Sequence, residues 1–176
     1  MSWVKEYIRT IPNFPKEEIM FRDVTTIFEH DVAYPKMIDE FVAQYRDKGI
    51  NKIAGIEARG FILGGAIAHM LGIGFITIRK KGKLPHKTHS EEYELEYGKD
   101  ALEVHIDAIN EGDNILIVDD LIATGGTAIA ALNLINKAGG KVSDACFIID
   151  LPELKGSTLL NEKGCEVFTL AEYKGL

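Results

Sequence analysis

Residues 114–128 read NILIVDDLIATGGTA, and this stretch decides the fold. Ile115, Leu116, Ile117 and Val118 form an unbroken apolar run, mostly β-branched, suited to a strand buried on both faces in the middle of a parallel sheet. Two adjacent carboxylates, Asp119 and Asp120, follow where that strand is expected to end. Ala123-Thr124-Gly125-Gly126-Thr127 then makes a turn of small residues. The sequence after it, AIAALNLINKAGG, has helical spacing, with Gly139-Gly140 as its stop.

The order strand, acids, Thr/Gly turn, helix has a chemical meaning. Glycines let a backbone approach a ligand closely, and the free amide groups of a helix start attract an anion. Thr124 and Thr127 add hydroxyl donors, so this half of the motif suits a phosphate. Asp119 and Asp120 suit vicinal hydroxyls or, less directly, a metal ion. Neighbouring strand residues point to opposite faces, so both acids can serve one ligand only where the strand is ending. A sugar phosphate with a free diol satisfies both halves. The plainer alternative is an ordinary strand-to-helix turn with two solvated acids. A P-loop would need a lysine after its last glycine, where Thr127 and Ala128 stand, and the G-x-G-x-x-G of a dinucleotide turn is missing.

The segment VDDLIATGGT resembles the phosphoribosyl-pyrophosphate (PRPP) signature of the type I phosphoribosyltransferases, close to the form carried by the adenine phosphoribosyltransferases. The resemblance extends to Phe21-Arg22-Asp23, to Ala58-Arg59-Gly60-Phe61, to Ile78 through Pro85 (IRKKGKLP) and to Leu95-Glu96-Tyr97-Gly98-Lys99. These blocks keep the family's order from about residue 19 to 128. The resemblance implies an α/β fold of the type I phosphoribosyltransferase kind: a central, mainly parallel sheet flanked by helices, with a small hood and a flexible lid loop. It implies one domain, with a hood region at about 1–33, a core at about 34–150 carrying the lid at 80–100, and a C-terminal segment at about 151–176.

The composition agrees with a single globular domain. The chain has 176 residues, 46% hydrophobic and 27% charged, with a net charge of −7 and a pI near 5.3, which argues against a general nucleic-acid or acidic-membrane surface. No apolar run approaches the roughly 18 residues of a membrane span, and the N-terminal stretch lacks the apolar core of a signal peptide. Two cysteines, Cys146 and Cys165, make no disulfide framework. A cytoplasmic protein is expected. The histidines are scattered without an H-E-x-x-H pair, which argues against a structural zinc site.

Along the chain, residues 2–11 have the pattern of an amphipathic helix ended by Pro12. The next segment, 13–30, reads as a loop with a short strand, in which Arg22 is an exposed arginine or the partner of Asp23. Tyr34–Asp47 reads as a helix with one apolar stripe. Lys52–Ile56, the turn Glu57-Ala58-Arg59-Gly60, a helix over Phe61–Leu71 and a strand over Ile73–Ile78 form a βαβ unit. Its turn lies on the same sheet edge as the 119–127 loop, where ligands of open parallel sheets bind, and Arg59 has the fork that suits phosphate. Residues 79–90 hold five lysines and arginines and no acid, followed by four glutamates from Glu91 to Glu96. That reads as a solvated charged loop or as a mobile lid that brings cations to a pyrophosphate. Strands are expected over Glu103–Ile106, Lys141–Asp150 and Glu166–Leu170, with a short helix before the last.

What the resemblance adds is chemical. It implies transfer of the phosphoribosyl group from PRPP to adenine, giving AMP and pyrophosphate, with Mg²⁺ carried by PRPP and no direct metal ligand from the protein. It implies that Ala123, Thr124, Gly125, Gly126 and Thr127 hold the 5′-phosphate, and that Asp119 and Asp120 hold the ribose hydroxyls. Ala58, Arg59, Arg79 and Lys83 would meet the pyrophosphate, with a non-proline cis peptide at Glu57–Ala58. Met20, Phe21 and Arg22 would meet the adenine, and Glu96 and Arg59 would be catalytic. A homodimer is implied, with no nucleic-acid or membrane partner. The rivals are another purine base or a PRPP-binding regulator without catalysis.

Overall fold

The computed structural model describes residues 2–95 and 98–175. It opens with a single 3-10 turn at Trp3–Tyr7, not a helix to residue 11. The chain then extends as β1 (Arg9–Pro12), which pairs antiparallel with β2 (Met20–Asp23) to make a separate two-stranded hairpin. The helical pattern of residues 2–11 is overridden because Ile8 and Val4 are buried by the core while residues 9–12 pair with a strand that periodicity does not reveal. In that pairing Arg9 faces Asp23 and Thr10 faces Arg22. Arg9 therefore takes Asp23, with Nη2 2.5 Å from the carboxylate, and the adjacent Arg22–Asp23 pair considered from sequence does not form. Arg22 instead donates to Thr10 Oγ1 at 2.6 Å and lies over the Tyr173 ring at 4.3 Å.

The rest is a seven-stranded sheet between helices. After the short α1 (Thr25–Phe28) come α2 (Ala33–Tyr45), β3 (Lys52–Ile56), α3 (Arg59–Leu71) and β4 (Gly74–Lys80). An antiparallel hairpin follows, β5 (Thr88–Leu95) and β6 (Gly98–His105), and then β7 (Asn114–Ile122), α4 (Gly126–Lys137) and β8 (Lys141–Asp150). A 3-10 turn at Pro152–Leu154, α5 (Gly156–Glu162) and β9 (Glu166–Glu172) complete the fold. The strand order is β5-β6-β4-β3-β7-β8-β9, with β4, β3, β7, β8 and β9 parallel and the β5–β6 hairpin antiparallel at one edge.

Period-two alternation divides the core into two layers. Leu116 and Val118 of β7 join Phe41, Met37 and Tyr45 of α2 and Leu63 and Ile67 of α3. Ile115 and Ile117 join Ala131, Leu134 and Ile135 of α4 and Leu160 of α5 on the other face. Cys146 and Cys165 are free and buried, and burial together with Asp144 pushes the Cys165 thiol up to about 12. No helix among the described residues is long and apolar enough to cross a membrane.

The segment read as a lid loop is largely strand. Residues 81–87 follow β4 as a turn and loop, and Thr88–Leu95 then pairs antiparallel with Gly98–His105. The strand foreseen over Glu103–Ile106 is accordingly longer, and its Ala101, Leu102 and Val104 are buried.

Burial alone works against ionisation of Asp23, but hydrogen bonds from Thr25 and Arg9 outweigh it and hold its carboxyl at about 2. A depressed carboxyl adds stability above its unfolded value of about 3.9, and that stability is lost as pH falls through about 2. Arg9→Gln is expected to be less stable than the parent at pH 6 in urea unfolding, with the difference shrinking steadily between pH 4 and pH 2. A difference constant over that range would mean that Arg9 acts by packing.

Candidate active site

The site forms where the central strand loses one neighbour. The β3–β7 pairing ends at Gly55 and Val118, while β8 accompanies β7 as far as Ile122. Strand β7 thus continues through Asp119 and Asp120 instead of ending before them. The missing neighbour on the β3 side is what opens space at the two acids. Asp120 continues the parity of Leu116 and Val118 toward α3, and its carboxylate accepts a short hydrogen bond from Arg59 Nε. Asp119 is pushed well above the usual carboxylate range, first by enclosure and then by the neighbouring Asp120. For Arg59, burial lowers the guanidinium and the charge of Asp120 raises it, with a net rise.

Two cavities meet at these acids. The larger, about 390 Å³, is lined by Met20, Phe21 and Arg22 of the hairpin, by Asp119 through Ala128, and by Arg59, Phe147 and Leu151. The smaller, about 320 Å³, is lined by Ile56, Glu57, Ala58, Arg59, Lys80, Tyr93, Leu102, Asp119, Asp120 and Thr127. A helix starts at each cavity, and neither start is capped by a side chain: α3 follows Ala58, and α4 follows Gly125. Gly125 has φ 81°, the left-handed conformation that glycine adopts without strain. The peptide between Glu57 and Ala58 is cis.

Close backbone contacts fix both helix starts. A Cβ on Gly60 would lie 2.6 Å from the Val118 carbonyl oxygen and 3.2 Å from Asp119 Oδ1. Only glycine allows α3 to begin that close to β7. On the other side, Gly156 N–H donates to the Ala123 carbonyl at 3.0 Å, and a Cβ there would meet that oxygen at 2.3 Å. The start of α5 therefore backs the 123–127 loop.

Most residues singled out from sequence converge here. Met20, Phe21 and Arg22 share the larger cavity with Ala123, Thr124, Gly125, Gly126 and Thr127, and Ala58 lines the smaller one with both acids. Arg79 and Lys83 do not line either cavity. Both are drawn onto Glu57, Arg79 Nε at 3.1 Å and Lys83 Nζ at 2.6 Å. Glu96 lies outside the described residues. The sequence reading missed Glu57, Lys80, Tyr93, Phe147 and Leu151. Lys80 and Glu57 each stood beside a residue already chosen, whereas Tyr93 and the apolar pair carried no local signal. Tyr93 donates to Asp100 Oδ2 at 3.3 Å, and burial raises its hydroxyl above the ordinary value. Among the described residues no group of three metal-ligating side chains forms.

This is a sheet-edge site with two open helix N-termini on either side of a carboxylate pair. A sequence model of the phosphoribosyl transferase domain matches residues 27–171. A relative from Methylobacterium radiotolerans, adenine phosphoribosyltransferase, is 56% identical over 172 residues, covering 98% of this chain and 95% of the relative. Crystallised adenine phosphoribosyltransferase from Rhodothermus marinus superposes with a TM-score of 0.90 at 46% identity, over 97% of this chain and 96% of that one. The enzyme from Saccharomyces cerevisiae, in complex with an imino-altritol bisphosphate and adenine, gives a TM-score of 0.90 at 40% identity over 96% of each chain. The chain belongs to the phosphoribosyltransferases and, within them, to the adenine phosphoribosyltransferase family.

Gly60→Ala should destabilise the fold by about 1–3 kcal/mol, the usual range for forcing a methyl into packed space. Urea unfolding checks this, and an unchanged midpoint would mean that α3 can retreat from β7.

Proposed function

We propose that this chain transfers the 5-phosphoribosyl group of PRPP to adenine, forming AMP and pyrophosphate in purine salvage. One observation carries the reading: two helix N-termini without side-chain caps open on adjoining cavities, with Asp119 and Asp120 between them. Free amide groups at helix starts bind phosphate, and a carboxylate pair accepts vicinal hydroxyls. PRPP has a phosphate at one end, a pyrophosphate at the other and a ribose diol between. The bisphosphate and adenine held by the Saccharomyces cerevisiae relative support the same pairing of ligands.

In this reading Ala123 to Thr127 hold the 5′-phosphate. Asp119 and Asp120 hold the ribose hydroxyls, and Ala58 and Arg59 hold the pyrophosphate with Arg79 and Lys83 in support. The hood of about residues 1–33 covers the base through Met20, Phe21 and Arg22, and the core and C-terminal segment complete the one domain. Glu96 is assigned the proton transfer at the purine. Displacement at the anomeric carbon builds positive charge on the sugar and negative charge on the leaving pyrophosphate. The protein's contribution is then positioning and electrostatic stabilisation, chiefly by Arg59 and the α3 amides. Asp119 and Asp120, on the wall of the smaller cavity, offer oxygens to the waters of a Mg²⁺ ion brought in by PRPP, with no direct ligand assigned to the protein. Such an ion keeps several waters and comes with the substrate's phosphates; when bound it neutralises the leaving group. We further assign the enzyme to the cytoplasm as a homodimer, a reading that the free buried cysteines accommodate.

The direct test is pyrophosphate release from PRPP and Mg²⁺ with adenine, hypoxanthine, guanine, xanthine or orotate. Turnover with adenine alone is expected. Turnover with another base would discard the assignment of residues 20–22, and PRPP binding without turnover would indicate a sensor. The double variant Asp119→Asn, Asp120→Asn should fold and raise the KM for PRPP about a hundredfold, since each lost charge-assisted hydrogen bond costs about 1.5 kcal/mol. A parental KM in the folded variant would remove the diol assignment. Arg22→Ala should raise the KM for adenine more than that for PRPP, whereas an equal rise would leave Arg22 a structural partner of Thr10 and Tyr173.

A further inference from the structure

Glu57 is the first residue of the turn between β3 and α3, and its side chain is only 10% exposed. Three donors converge on its carboxylate. Oε1 accepts from Lys83 Nζ at 2.6 Å, and Oε2 accepts from Arg79 Nε and from the Lys80 backbone N–H, both at 3.1 Å. Arg79 also donates through Nη1 to the Lys83 carbonyl at 3.2 Å, so the two cations are tied to each other as well. Burial alone would oppose ionisation of Glu57, but Lys83, the Lys80 amide and Arg79 outweigh it and hold the carboxyl below its usual value. The same glutamate lines the smaller cavity beside Ala58 and Arg59.

We propose that Glu57 is a positioning residue, whose carboxylate holds Arg79 and Lys83 at the root of the β5–β6 hairpin beside the pyrophosphate turn. This rests on the assignment of that turn to pyrophosphate. Arginine and lysine side chains lose much rotamer freedom when ordered, and two unpartnered cations side by side repel. A buried carboxylate that orders both before the substrate arrives removes that cost from binding. It does not use the cations up. A guanidinium has five N–H donors and an ammonium three, so each can meet a phosphate oxygen without leaving Glu57.

The test is Glu57→Gln, which keeps size and an acceptor for the Lys80 amide but removes the charge. PRPP affinity, measured by calorimetry, should fall about tenfold, the loss expected for one charge-assisted interaction. In turnover the KM for PRPP should rise in step, with the KM for adenine unchanged, kcat within about twofold and Tm within a few degrees of the parent. In a cycle with Lys83→Met the two changes should be non-additive, because the carboxylate acts through that lysine. Three results would overturn the proposal: both KM values rising together with a lowered Tm, which marks a structural carboxylate; tighter PRPP binding, which marks a competitor for the cations; or additive losses. Parent enzyme that binds PRPP but fails to use adenine would remove the base assignment, and the calorimetric comparison would still decide the role of Glu57.

Discussion

The whole site depends on one mismatch in strand length. Strand β7 outlasts β3 on one side and keeps β8 on the other, so its last residues are anchored along one edge and open along the other. A pair of adjacent carboxylates is costly in any buried position, because each disfavours the charge of its neighbour. Here the open edge gives them space, and Arg59 supplies a counter-charge to Asp120. The arginine can reach only because Gly60 lets α3 start against the Val118 carbonyl. A glycine, an arginine and the end of β3 thus form one arrangement, and the acids are tolerable only inside it.

The second half of the site is held from behind by residues far away in sequence. Leu151 N–H donates to the Ile122 carbonyl and Gly156 N–H to that of Ala123, each at 3.0 Å. The turn between β8 and α5 thereby becomes the back wall of the 123–127 loop. A loop that must present its amides to an anion gains from such support, since a binding constellation loses strength when it is loosely held. The larger cavity therefore draws its walls from the N-terminal hairpin, from β7 with its loop, and from the segment after β8.

What could be read in the sequence follows from this. Strands β3, β7 and β8 announce themselves because burial on both faces demands continuous apolar runs, and the 119–127 loop because glycines and acids rarely adjoin such a run without purpose. The hairpin β5–β6 was hidden because β5 reads THSEEYEL, a polar stretch whose pairing partner supplies the buried residues. The edge strand β1 was hidden because its pattern also fits a helix. Neighbouring residues on a strand point to opposite faces, so Asp23 could not pair with Arg22 and met Arg9 across the hairpin instead. Glu57 escaped notice because its meaning lies in Arg79 and Lys83, which only the fold brings to it.

The electrostatics of the acid pair make sense of an acidic protein that binds a polyanion. Two fully ionised carboxylates facing the incoming ligand would repel its phosphates. The structure avoids this by treating the two acids differently. Asp120 is bound to Arg59, while Asp119 is pushed toward its protonated form by enclosure and by Asp120 itself. The guanidinium of Arg59 thus offsets part of the pair's negative charge where the ligand would approach. The open amides of α3 and α4 then set the sign of the field at the two ends of the site, where the phosphate charge would lie.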